Sequence, residues 1–182
     1  MKPKSIYKYA AEAGLPVGLY LTLMSACMLM GLKISFLPML LLPLAIGFPF
    51  LLWIIMRNIG RVEPSYMKFS SLWLGGIYSV IFGTIICLFL SALYVVNFEP
   101  GFFAAYVRQS IESIEATPMA DDYAGTITLM KEALEAKILP SSLEFLTTMS
   151  WLTCFAGSIL SFVLALLITK MSGKVSEAFD RR

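Results

Sequence analysis

The sequence predicts an all-α membrane protein: a four-transmembrane-helix bundle with an extracytoplasmic amphipathic helical hairpin between spans 3 and 4. Two observations predict it. Of 182 residues, 58% are hydrophobic and 14% charged, with a mean hydropathy of +0.79, whereas soluble domains carry about a quarter charged residues. The apolar residues also come in unbroken blocks of the roughly twenty residues needed to cross about 30 Å of hydrocarbon.

The chain reads as one membrane domain, 1–182, with spans at about 14–32, 36–56, 72–96 and 145–169 and an external insert at 97–143. Span 1 follows a basic flank of Lys2, Lys4 and Lys8, opposed by Glu12. Met24-Ser25-Ala26-Cys27 loosely resembles a lipoprotein signal, but the apolar run continues straight through Cys27, which favours a span over a cleaved leader. A short connection around Lys33 makes spans 1 and 2 a tight antiparallel hairpin. Span 2 contains Pro38, Pro43 and Pro49. Each interior proline removes a backbone donor and crowds the preceding turn, so a bent or partly broken helix is expected.

After Arg57, Arg61 and the turn Glu63-Pro64-Ser65, Lys68 precedes span 3. From Asn97 to Glu144 the balance turns acidic: Glu99, Glu112, Glu115, Asp121, Asp122, Glu132, Glu135 and Glu144 against Arg108, Lys131 and Lys137. Phe103, Val107, Ile111 and Ile114 recur at helical spacing after Glu99-Pro100, and a second stripe runs through Tyr123, Ile127, Met130, Leu134 and Ile138. Ser141-Ser142-Leu143-Glu144 has the spacing of a capping box, in which serine and glutamate each satisfy the other's free amide at a helix start. Span 4 leads into Lys170, Lys174, Arg181 and Arg182, and Met171, Val175 and Phe179 form an apolar face suited to an anionic leaflet.

Ten of the fourteen Lys and Arg residues fall in the segments thus drawn as inner and four in the outer ones. The positive-inside rule then places both termini in the cytoplasm.

Apolar burial cannot drive helices together in lipid, so close approach through small residues has to contribute. Rows at four-residue spacing supply it: Gly14 and Gly18 in span 1; Gly75, Ser79, Gly83, Cys87 and Ser91 in span 3; Gly157, Ser161 and Ala165 in span 4.

Chemistry is sparse. The chain has no histidine, which removes the commonest general base and neutral metal ligand. Cys27, Cys87 and Cys154 lie inside apolar blocks without metal-site spacing, and read as inert thiols. No charged residue lies within the spans as drawn, which disfavours a proton-coupled carrier. Glu112 with Glu115, and Glu132 with Glu135, share helix faces but read as solvated pairs. Arg57 and Arg61, four apart at the end of span 2, and Lys68 are candidate contacts for phosphate or lipid head groups. Their presence also satisfies the orientation rule alone.

The basic turn after span 2, the Tyr66-Met67-Lys68-Phe69 start of span 3, Tyr94 followed by Phe98-Glu99-Pro100-Gly101-Phe102, and the long acidic helical insert give the chain a family resemblance. Nearly its whole length resembles small four-span inner-membrane proteins of Bacteroidota catalogued as domain of unknown function forty-one ninety-nine. Arg57-Asn58-Ile59-Gly60-Arg61 departs from the more acidic, glycine-rich turn of that family. The resemblance implies that topology in a bacterial cytoplasmic (inner) membrane, and none of the residues that carry it is a catalytic signature. Its members look like genomic neighbours of polyprenyl-phosphate glycosyltransferases, which implies an association with lipid-linked sugars.

The expectation is a non-enzymatic accessory or scaffold protein of the cell envelope, without cofactor or metal. Its expected partners are membrane lipids and either a membrane protein or a second copy of the chain, not nucleic acid. The alternative is a small translocator or binder of a polyprenyl-phosphate-linked or other amphipathic substrate.

Overall fold

The computed structural model describes residues 6–34, 36–62, 64–117, 120–136 and 138–180, the last with side chains to Met171. Among these no strand occurs. The helices in chain order are α1 (Ile6–Leu29), α2 (Leu37–Val62), α3 (Phe69–Phe98), α4 (Phe102–Glu115), α5 (Ala124–Glu135) and α6 (Ser142–Asp180). Four segments are long and apolar enough to cross a membrane: Ile6–Leu32, Leu37–Val62, Phe69–Phe98 and Ser142–Met171. The chain is a four-span helical membrane protein. Lys2, Lys4, Glu63, Lys137, Arg181 and Arg182, and the side chains of Asp121, Lys174, Val175 and Phe179, lie outside the described residues. So does most of the expected apolar face of the tail.

α1 begins at Ile6, well before the apolar run, because its first turns find partners. Tyr7 meets Tyr78 of α3 edge-on, with ring centroids 5.0 Å apart, and Tyr9 meets Tyr66 at 6.3 Å. Lys8 and Glu12 therefore sit inside the first spanning helix, and Arg57 and Arg61 inside the second. The helices are longer than the apolar blocks, and these charges lie outside the apolar spans as drawn, 14–32 and 36–56.

α2 is unbroken from Leu37 to Val62 despite Pro43 and Pro49, which corrects the expectation of a partly broken helix. Pro38 lies in the first turn, where a missing donor costs nothing. Pro49 takes the donor from the carbonyl of Ala45 and crowds that turn. There the hydroxyl of Tyr20 donates to the neighbouring carbonyl of Leu44 at 2.7 Å.

α3 is the central helix. α1 packs on one side of it and α6 on the other, and three clusters fill the bundle. Leu52, Met56, Leu72, Val80, Leu164, Ala165 and Ile168 join α2, α3 and α6. Val17 and Leu21 meet Ile55 and Ile59 between α1 and α2. At the opposite end, Leu29, Val95, Phe102 and Leu146 join α1, α3, α4 and α6. Every buried residue of α2 lies between Leu52 and Gly60. From its first half only the half-buried Phe48 packs against these clusters.

The insert is tied down at its root. Phe102 is buried in the bundle. Ser142 Oγ donates to the carbonyl of Pro100 and accepts from the amide of Phe103. The capping box at the start of α6 is complete: Ser141 N–H donates to Glu144 Oε2 at 2.8 Å, and Glu144 N–H to Ser141 Oγ at 3.2 Å. α4 and α5 pack through Val107, Ile111 and Ile127, with Phe103, Ile114, Met130 and Leu134 around them. An ion pair of Lys131 with Glu115, at 2.6 Å, adds to this contact. Tyr123 and Ile138, expected in the second stripe, remain exposed because they lie beyond the ends of α5.

Candidate functional site

Where small residues face each other, the helices come close enough that side chains cannot be added. A Cβ placed on Gly14 would lie 2.5 Å from Phe82 Cβ, and one on Gly18 would lie 2.9 Å from Ile86 Cβ and 3.0 Å from the carbonyl oxygen of Gly83. One on Gly83 would lie 2.5 Å from Val17 Cγ1 and 2.9 Å from the amide nitrogen of Gly18. These define the α1–α3 contact. On the other side of α3, Gly157 meets Val80 and Gly76 meets Ser161. Ser161 and Ala165 are fully buried. Gly75 makes only ordinary contact, 3.5 Å from Ile59, so Gly76 and Val80, outside the four-residue row, form the α6 contact. Ser79 is buried and donates to the carbonyl of Gly75.

Arg57 and Arg61 project from the last turns of α2, and Lys68 precedes α3; all three are exposed. Among the described residues none of them has an ion-pair or hydrogen-bond partner. About 24 Å along α2 from Arg57, at 1.5 Å per residue, Leu41 marks the opposite half of the bundle. There a cavity of about 210 Å³ lies between α1, α3 and α6. It runs beside Leu21 to Met28, Thr84 to Ser91 and Phe145 to Thr153, eight or nine residues of each helix and so about 10–12 Å. On the fourth side α2 contributes Leu41 alone.

The wall is apolar with a line of uncharged polar atoms. Ser25 and Ser91 share a hydrogen bond at 2.7 Å, with Cys87 Sγ 3.8 Å from Ser91 Oγ. Ser150 and Thr153 donate to carbonyls of their own helix, Leu146 and Met149. Thr84 is 5% exposed, and among the described residues its hydroxyl has no hydrogen-bond partner. The other buried hydroxyls, Ser79, Ser91, Ser142 and Ser161, all have one. No charged residue lines the cavity. Met28 and Leu41 also border a larger groove of about 480 Å³ beneath α4, reaching Tyr106, Gln109 and Ser113.

The sequence reading missed Thr84. The available signal was its spacing with Cys87 and Ser91, which puts three polar atoms on one face of α3; the row through Gly83 drew those two residues into a packing role. Also missed was the pairing of Lys33, in the α1–α2 connection, with Glu99 at the end of α3. The lysine side chain is 62% exposed and the glutamate 14%. The carboxylate raises the Lys33 pKa by hydrogen bonding and charge, against a smaller opposing effect of desolvation.

Among the described residues no three of His, Cys, Asp and Glu gather as a metal site would require. Glu115 is paired with Lys131, and Glu112, Glu132 and Glu135 face solvent.

No curated protein and no solved structure matches the chain. Residues 12–170 match the family described as Protein of unknown function (DUF4199). That match covers the second and third spanning helices, most of the first and fourth and the whole insert, and so the chain belongs to the DUF4199 family.

Proposed function

We propose that this protein is a non-enzymatic accessory or scaffold of the cell envelope, acting in the bacterial cytoplasmic membrane with both termini in the cytoplasm. The observation that supports a partner is on the insert. α5 leaves Leu129 68% exposed, and Ile138 just beyond it is 75% exposed, although both lie outside the four spans. Exposed leucines along α2 need only lipid. Exposed apolar side chains on an acidic insert suit a partner's surface. The orientation is supported by the concentration of Lys and Arg at the other end of the bundle.

A photo-crosslinking residue at Leu129, activated in intact cells, tests the reading. A discrete protein adduct that recurs between preparations is expected. Adducts with lipid alone, or none, would overturn it.

The alternative, a translocator gripping a lipid phosphate through Arg57 and Arg61, asks for cations beside the internal cavity. They lie at opposite ends of α2, so the accessory reading is preferred.

A further inference from the structure

The cavity between α1, α3 and α6 has three properties that together select a ligand. It is apolar with no charged lining residue, so phosphate-bearing head groups find no counter-charge, and burying an uncompensated charge is costly. Its 210 Å³ exceeds the roughly 150 Å³ that admits a benzene ring in an engineered apolar cavity. Its wall also holds a hydroxyl, Thr84, that is 95% buried and unsatisfied. Buried polar groups are nearly always hydrogen-bonded, so an orphan hydroxyl on a residue that lines a cavity marks a place for a partner.

Access is lateral. The fourth side is closed by Leu41 alone, and the half of α2 that carries it contributes no buried residue. A molecule dissolved in the bilayer reaches the cavity past Leu41 without leaving the hydrocarbon.

We propose that this cavity binds the head of an uncharged lipid bearing a carbonyl group. The carbonyl accepts a hydrogen bond from Thr84, and the apolar tail runs out past Leu41 into the bilayer. A quinone ring and an acylglycerol ester share this chemistry. The Ser25–Ser91 pair has already satisfied its own hydrogen bond, so Thr84 is the discriminating donor. The site is separate from the insert surface, and loss of a partner at Leu129 leaves it untouched.

The test uses the full-length protein in phosphatidylcholine vesicles with four photoactivatable probes: a quinone, a monoacylglycerol, a phosphatidic acid and a plain alkane. Adducts are mapped to peptides containing Thr84 to Ser91 and Phe145 to Thr153. At least one carbonyl probe is expected to label these peptides above the alkane and the phosphatidic acid, and which one does so identifies the source. Thr84→Val, which keeps the shape and removes the donor, should lower that labelling roughly two- to tenfold, the range for one lost hydrogen bond. Thr84→Ser should restore it, which separates loss of the donor from loss of the fold. Ser150→Phe, filling the cavity, should abolish it. Labelling by neither carbonyl probe above the alkane overturns the proposal, as does equal labelling by the phosphatidic acid or a wild-type level in Thr84→Val.

Discussion

The hydroxyl of Tyr20 on α1 donates to the backbone carbonyl of Leu44 on α2 at 2.7 Å, through a gap that exists because residue 47 is glycine. A Cβ at Gly47 would collide with that hydroxyl oxygen. The bond is made one turn before Pro49, where the helix ladder has lost a donor. Tyrosine, glycine and proline thus act together to hold the loosely packed half of α2 against α1.

Tyr20→Phe removes the donor and little else. The expected loss is about 0.6 kcal/mol, the average for interhelical hydrogen bonds in membranes. Gly47→Ala in the wild-type background should cost more than in the Tyr20→Phe background, because the clash is with the hydroxyl. Unfolding of the four variants in detergent measures this coupling, and additive losses would refute it.

The two sides of α3 should tolerate substitution unequally. Gly83→Ala forces a methyl against Val17 and the backbone of Gly18, and Gly157→Ala forces one against Val80. Each is expected to cost about 1–3 kcal/mol as overpacking. Gly75→Ala meets only ordinary contacts and should be neutral or slightly stabilising, since alanine favours a helix over glycine. Thermal unfolding of the three single variants decides it.

At the insert end, Lys33 and Glu99 tie the α1–α2 connection to the end of α3. Removing the exposed lysine leaves a mostly buried carboxylate without its cation, so Lys33→Met should lower Tm more than Lys131→Met, whose partner Glu115 is well exposed. The Lys33 pKa is raised in the folded protein. Its contribution is therefore fully present below the ordinary lysine value, about 10.4, and is lost as pH rises through the still higher folded value. The Tm difference between wild type and Lys33→Met should stay level from roughly pH 6 to 9 and shrink only at more alkaline pH. A difference that shrinks on going from pH 6 to 9 would contradict the pairing.

The capping box can be tested by hydrogen exchange. Ser141→Ala should cost about 1 kcal/mol and speed exchange of the Glu144 amide, which loses its acceptor. Glu144→Ala should instead speed exchange at the amide of Ser141. If both variants leave these amides unchanged, the box does not form.

What the sequence determined by itself is what depends on neighbours along the chain. An apolar run long enough for the hydrocarbon has to be a span, and a three- or four-residue apolar recurrence has to be one helix face. Ser141 and Glu144 carry their own cap wherever the helix lies. Tertiary structure decided what depends on how helices rotate and slide against each other. Gly76 and Val80, rather than Gly75, meet α6 because α3 presents neighbouring faces to its two partners. α2 continues past Pro49 where its prolines suggested a bend or a partial break, and there Tyr20, two dozen residues from Leu44, supplies a hydrogen bond across the gap. Lys33 and Glu99 are far apart in sequence and were legible only as charges outside the spans. Cys87 and Ser91 were visible as a helix face, but that Thr84 beside them lacks a partner follows from the space left between three helices and the shallow packing of a fourth. No local pattern records that space, because it belongs to the assembled bundle.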